Sequence, residues 1–269
     1  MAAALTDQEF GLFRRFIYDT AGISLSDAKK ALVAGRLAKR VEQRGLASYR
    51  DYFRLLESGT QPDELQTAID LLTTNETYFF REPKHFDRLR QLALAGSRGN
   101  GLFRVWSAAC STGEEPYSIA MVLADCLAGR SWELIASDIS ERVLAKARTG
   151  HYPLQRTTNI PPDYLRRFCL RGTGSQEGTL LVQRQLRQAV RFLQVNLNGR
   201  LPELGRFDII FLRNVLIYFD AATKRQVVNR LLAALAPGGH LLIGHSESLN
   251  GIVEGVESIA PSVYRRPVP

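Results

Sequence analysis

The sequence predicts an all-helical N-terminal domain followed by an α/β domain that carries a small antiparallel β-subdomain insertion. Three observations carry this reading. Through the first hundred residues, apolar side chains recur at helical spacing and no strand-like run appears. From Phe103 onward, short β-prone runs alternate with helical patterns, the signature of a parallel sheet with crossover helices. Between about His151 and Arg191 the alternation lapses around a long glycine-rich turn. The predicted boundaries are 1–72 for the helical domain, 73–101 for a linker and connecting helix, and 102–269 for the α/β domain. The insertion is placed at about 160–190.

Each element has a local reason. Thr6-Asp7-Gln8-Glu9 fits a capping box, Phe10, Phe13 and Ile17 recur at helical spacing, and Gly22 supplies a stop. Ser26 is placed to cap a second helix running to about Gly45, and Ser48 a third ending near Gly59. Pro62 opens a fourth, from Asp63 to Leu72, and Pro83 a fifth towards Ala95. Ser97–Gly101 reads as a hinge. Beyond it the pattern predicts strands at Phe103–Ser107, Trp132–Ser137, Phe207–Leu212 and His240–His245. Helices are expected at Pro116–Leu127, Glu141–Arg148, Asp163–Phe168 and Ala221–Leu235. Pro237-Gly238-Gly239 is read as a connecting turn, and a last hairpin is placed around Gly255.

Composition narrows the setting. The chain has 269 residues and a formal charge of +8, which favours an acidic partner without choosing one. Cys110, Cys126 and Cys169 are odd in number and widely spaced, as in a reduced cytoplasmic protein. His85, His151, His240 and His245 do not cluster in sequence, so no metal is expected. The start MAAALTDQEF lacks the basic and apolar regions of a signal peptide, and no apolar run reaches a bilayer span. A cytoplasmic monomer without membrane insertion is expected.

The candidate chemistry lies in four strings. After the first strand come Ala108-Ala109-Cys110-Ser111-Thr112-Gly113-Glu114-Glu115-Pro116, whose small residues let backbone approach a ligand. No G-x-G-x-x-G or G-K-[ST] string is present, and Glu114 and Glu115 would repel a pyrophosphate but tolerate a cationic ligand. Asp138 ends the next strand, where it can accept from ribose hydroxyls or serve as a helix cap. Thr73–Pro83 joins the two domains, and Arg81 within it can hold a carboxylate bidentately. Phe211–Phe219 puts Arg213, Asn214 and Tyr218 beyond a buried strand, although Tyr218 reads equally as a core aromatic.

In order, the strings TTNETYFFREPKHF, RVWSAACSTGEEPYSIA, ASDIS, RGTGSQEG, VNL, FLRNVLIYF and PGGHLLIGHSE resemble the CheR family of chemotaxis receptor methyltransferases. The resemblance spans nearly the whole chain. It implies a Rossmann-like, S-adenosylmethionine-dependent methyltransferase that esterifies receptor glutamates and releases S-adenosylhomocysteine. It further implies that Asn75, Thr77, Arg81, Glu115, Asp138, Asn196, Leu197, Leu212 and Arg213 contact the cofactor. Tyr218, with Arg81, would face the reacting groups.

Arg36, Arg40 and Arg44 share one face of the second helix, with Lys39 adjacent. They are expected to dock the acidic helical bundle of a chemoreceptor's cytoplasmic region. Arg171, Gly172 and Gly174 resemble a loop that tethers a receptor's C-terminal pentapeptide, the glycines allowing close backbone approach. Two other functions fit the charge or the fold: a nucleic-acid methyltransferase, and a non-catalytic module that senses S-adenosylmethionine. No N-P-P-Y-like string or basic-aromatic strip favours nucleic acid.

Overall fold

A computed structural model describes residues 4–96 and 101–268. The N-terminal domain opens with α1 (Asp7–Ala21), which begins with the expected capping box between Thr6 and Glu9 and stops at left-handed Gly22. A single 3-10 turn at Asp27–Lys29 precedes α2 (Lys30–Gln43), and Ser26 makes no side-chain cap. The second helix therefore starts later than its serine suggests, because i+3 bonding tightens the first turn. Ser48 caps α3 (Tyr49–Glu57) by accepting from the Asp51 amide, and Pro62 occupies the first turn of α4 (Pro62–Leu72). Phe13, Ile17, Val33, Leu37, Val41 and Tyr52 form the wholly buried centre of this domain.

Beneath that core lies Glu64, which has no exposed surface. Its carboxylate accepts from Arg40 Nε at 2.6 Å, from Arg44 Nε at 2.7 Å and from the Tyr52 hydroxyl at 2.7 Å. Arg40 and Arg44 are thus turned inward rather than held free for a partner. The helical wheel could not show this, because the acceptor comes from another helix. Burial alone would raise the Glu64 carboxyl, but bonds from Arg40, Tyr52 and Arg44 outweigh it and hold it at about 2. A depressed folded-state pKa contributes stability above the ordinary value of 4.5 that is lost as pH falls towards 2. In Glu64→Gln, the fall in melting temperature across that window should become shallower than in the parent. An unchanged slope in a pH series of thermal melts would contradict this role.

The connecting helix α5 (Lys84–Gly96) follows Pro83. The expected hinge lies, apart from Gly101, outside the described residues. The α/β domain then runs β1 (Phe103–Ser107), α6 (Glu114–Cys126), β2 (Trp132–Asp138) and α7 (Glu141–Thr149). Next come β3 (His151–Pro153), α8 (Pro162–Phe168), β4 (Cys169–Arg171), β5 (Thr179–Val182), α9 (Arg184–Ala189) and β6 (Val190–Gln194). The chain ends with β7 (Phe207–Leu212), α10 (Ala221–Ala234), β8 (Leu235–Ile243), β9 (Glu257–Ala260) and β10 (Val263–Arg265). The main sheet has the order β6-β2-β1-β7-β8-β10-β9, parallel from β6 to β8 and antiparallel beyond. This is a Rossmann-like sheet whose strand order reverses at β1, so its ligand crevice falls at the carboxyl ends of β1 and β7.

Several elements depart from the sequence reading. The small sheet, ordered β3-β5-β4, begins at His151, before the expected 160, and its last strand ends at Val182. Three residues ending in proline gave β3 no readable pattern. The short α9 and the strand β6 were missed, yet β6 forms the sheet edge against β2. Pro237-Gly238-Gly239 lies inside β8 at an irregularity in its pairing with β7, with left-handed Gly238 donating to the Arg266 carbonyl. The last hairpin turns at Pro261-Ser262, between β9 and β10, rather than at Gly255.

The two domains meet along the crevice. The Ser24 amide donates to the Tyr218 carbonyl at 2.8 Å, Asn196 Nδ2 donates to the Thr20 carbonyl at 2.6 Å, and Ile23 bridges Phe219. Arg36 donates to the Leu72 carbonyl at 2.9 Å, the Thr73 carbonyl at 3.1 Å and Thr74 Oγ1 at 3.0 Å. It staples the interdomain linker, so it is not a free docking residue. Lys39 is exposed.

Candidate active site

The loop after β1 is held on both sides. The Ala108 amide donates to the Phe211 carbonyl and the Cys110 amide to the Ser137 carbonyl, both at 2.8 Å. Ser111 takes a left-handed φ of 48° and Gly113 one of 97°. A Cβ on Gly113 would meet the Tyr152 hydroxyl at 2.8 Å and Ala147 Cβ at 2.9 Å, so only glycine fits this turn. The turn aims the Ser111 amide at Asp138 Oδ2, at 2.9 Å, while the Ser140 amide reaches Oδ1 at 3.0 Å. Asp138 is buried at the end of β2, and burial raises its carboxyl against the lowering effect of those amides. Ser111 Oγ donates to the Asn75 carbonyl at 2.8 Å, tying loop to linker.

The two glutamates that open α6 divide. Glu114 turns towards the small subdomain, where Thr112 Oγ1 donates to it at 2.6 Å and Arg156 lies beside it. Glu115 faces the crevice and accepts from Ser107 Oγ at 2.7 Å and from Arg213 Nη1 at 2.8 Å. Arg213, with a side chain only 1% exposed, also contacts Glu82 Oε2 at 3.0 Å and donates to the Arg81 carbonyl. One guanidinium therefore locks the first helix of the sheet domain to the linker. Glu247 does the same for the segment after β7. Its carboxylate accepts from the amides of Gly244 at 2.6 Å, Asn214 at 3.0 Å and Ile217 at 3.2 Å. That fixes the 3-10 turn Leu216–Tyr218 at the mouth of the crevice.

These elements enclose a cleft where the two domains meet. Asn75, Thr77, Arg81, Glu115, Asp138 and Asn196 line it, as do Leu197, Arg213 and Tyr218. Leu212 is not among the lining residues. Its side chain is wholly buried in the core cluster behind the cleft wall, with Ala108, Val195 and Leu197. The cleft also takes Ala21 and Ile23 from the helical domain, with Ser111, Val215 and Phe219. Sequence spacing could not supply the first two, because they reach the cleft only through the domain contact. Arg81 donates to the Glu76 carbonyl at 3.2 Å and lies 5.5 Å from the centre of the Tyr78 ring. The lining pairs carboxylates at Glu76, Glu115 and Asp138 with guanidiniums at Arg81 and Arg213. Such a surface suits a ligand that carries both charges.

Two other groups of residues stand apart. Arg171 ends β4, an edge strand of the small sheet, and Gly172 and Gly174 follow it. A Cβ on Gly172 would lie 1.9 Å from the Gln176 carbonyl oxygen, so this glycine is needed for the turn's own closure rather than for the approach of a peptide. Gly174 has open space around it and a φ of 57°. His85 and His245, expected to lie apart, pack edge to face with ring centroids 4.8 Å apart beside Glu82.

Comparison with known proteins follows this architecture. Residues 8–73 match the family described as "CheR methyltransferase, all-alpha domain", and residues 75–264 match "CheR methyltransferase, SAM binding domain". A "Chemotaxis protein methyltransferase" of Escherichia coli (strain K12) is 45% identical over 264 residues, covering 97% of this chain and 91% of the relative. The protein of that name from Salmonella typhimurium is 43% identical with the same coverage. "Chemotaxis protein methyltransferase 2" of Pseudomonas aeruginosa is 42% identical over 262 residues, covering 96% and 93%.

Proposed function

The chain belongs to the CheR methyltransferase family, and on that premise we propose that it methylates glutamate carboxylates of chemoreceptors in the cytoplasm, for adaptation in chemotaxis. It is an S-adenosylmethionine-dependent methyltransferase. The observation that supports the cofactor's place is Asp138, a buried carboxylate at the end of β2, fixed by two amides and lining the cleft. That is where ribose hydroxyls find an acceptor in such sheets. Bound there, S-adenosylmethionine supplies a methyl group activated by its sulfonium.

The chain's own residues then align and desolvate. Arg81 presents a guanidinium for the carboxylate of the methionine moiety, and Glu115 and Glu76 offset the cationic groups. Asn75, Thr77, Asn196 and Leu197 line the cofactor's remaining surface. A receptor glutamate is already ionised near neutral pH, so no general base is required. Tyr218, held by the Glu247 scaffold, orients that carboxylate towards the methyl. Tyr218→Phe should lower kcat only severalfold, because the hydroxyl orients rather than titrates. A loss as large as that from removing Asp138 would contradict this role.

Receptor docking rests on the exposed lysines Lys29 and Lys39, since Arg36, Arg40 and Arg44 hold internal partners. Reversing both lysines to glutamate should raise the apparent KM for receptor severalfold at low salt, with kcat unchanged. An unchanged KM would discard the docking face. The β4 edge and Arg171 are read as the tether for a receptor's C-terminal pentapeptide, which would add as a strand. The function itself is tested by offering labelled S-adenosylmethionine and a receptor cytoplasmic fragment. Label should enter the receptor and fall as its candidate glutamates are replaced. Label that persists after all are replaced would overturn the reading.

A further inference from the structure

We propose that Glu82, His85 and His245 form a binding site for a divalent transition-metal ion of the zinc class. One ligand atom from each lies within 4.8 Å of the others. His85 Nδ1 stands 3.3 Å from Glu82 Oε2, and His245 Nε2 stands 3.9 Å from the same oxygen. Zinc bonds to imidazole and carboxylate at about 2.0–2.2 Å in a tetrahedron, which places ligand atoms about 3.4 Å apart. The three groups need to close by only a fraction of an ångström to a little over one.

The observation that singles out this cluster is His85. Its side chain is 2% exposed, yet neither ring nitrogen has a hydrogen-bond partner among the described residues. A neutral imidazole carries one N–H donor and one acceptor, and leaving both unmade in the interior is costly. A metal on Nδ1 would satisfy the acceptor.

Glu82 is prepared for the same task. Its backbone takes a left-handed φ of 57°, unusual for a residue with a side chain, and that turn carries the carboxylate towards the two histidines. The His245 amide donates to Oε1 at 3.1 Å, leaving Oε2 shared between Arg213 and the histidines. The charge of Arg213 is itself offset by Glu115. His245 is 46% exposed on its side chain and beside a groove also lined by Lys84, Asp87 and Gln91, which gives an ion a way in and water for the open position. An ion here would clamp the linker before α5 to the loop after β8.

The test uses the untagged full chain, freed of metal by dialysis and titrated with Co²⁺ and then Zn²⁺. Cobalt should give the visible absorption of a four-coordinate site, saturate at one equivalent and be displaced by zinc. Zinc should raise the melting temperature, because it binds the folded state. His245→Ala leaves the backbone amide in place and removes an exposed ring, so the fold should persist while affinity drops at least about tenfold and the thermal gain disappears. His85→Gln should do the same. Cys126→Ser, removing the most exposed of the three thiols, should change nothing. Absence of stoichiometric binding, binding undiminished in His245→Ala, or binding lost in Cys126→Ser would each overturn the proposal.

Discussion

Asp138→Ala should lower kcat/KM for S-adenosylmethionine by about a hundredfold or more while leaving the protein folded. A hydrogen bond to a charged acceptor is worth about 1.5–3 kcal/mol, and two ribose hydroxyls would lose theirs together. Even with incomplete additivity, about 3 kcal/mol corresponds to a factor of about a hundred. The substitution also frees the Ser111 and Ser140 amides that now converge on the carboxylate. The left-handed turn at Ser111 then loses one of its anchors, and the loop after β1 drifts from the position it shares with Asn75. Asp138→Asn is a sharper probe. It keeps an acceptor but presents an NH₂ to one of two amide donors, so its loss should fall between those of the parent and the alanine variant. Calorimetry with S-adenosylhomocysteine separates binding from turnover. A dissociation constant within about threefold of the parent's for Asp138→Ala, against the expected factor of a hundred, would remove Asp138 from the cofactor site.

Arg213→Met should destabilise the fold by about 3–5 kcal/mol, the cost of leaving buried partners of a broken ion pair unpaired. For a chain of this size that is a fall of roughly 10 °C in melting temperature. The size follows from what one guanidinium holds: Glu115 at 2.8 Å, Glu82 at 3.0 Å and the Arg81 carbonyl. Methionine fills much of the same volume beside the Phe86 ring, which Arg213 now overlies at 5.7 Å, so a cavity is not the cause. Adding Glu115→Gln to Arg213→Met should recover part of the loss, because it removes one of the two orphaned charges. The coupling in that double-mutant cycle measures the pair directly. A fall of less than about 2 °C in Arg213→Met, under the roughly 2–4 °C expected per kcal/mol, would show that the network is not structural.

Local chemistry was legible in the sequence and long-range pairing was not. Thr6, Ser48, Pro62 and Gly22 begin or end helices because their effects act within one turn. Asp138 and Arg81 could be named because a strand end and a linker carry recognisable spacing, and both line the cleft. Glu64 could not be read as the partner of Arg40 and Arg44, since helix packing alone brings it to them. The same holds for Glu247, which organises Asn214 and Ile217 from the end of the sheet. His85 and His245 are separated by most of the α/β domain in sequence and meet only when the linker and the loop after β8 fold together. Leu212 was placed at the cofactor by its motif, yet strand alternation turns its side chain into the core. The strand β6 was missed because Val190-Arg191-Phe192-Leu193-Gln194 is short and follows directly on a basic helix of six residues.

Esterification of a glutamate carboxylate is the step on which the cleft, the lack of a required base and the docking lysines converge. Receptor cytoplasmic fragment labelled from S-adenosylmethionine carrying a radioactive methyl group should be isolated and treated with mild alkali. The expected result is release of the label as volatile methanol, in proportion to the label bound. Label that survives alkali, or that enters RNA in preference to receptor, would contradict carboxyl methylation.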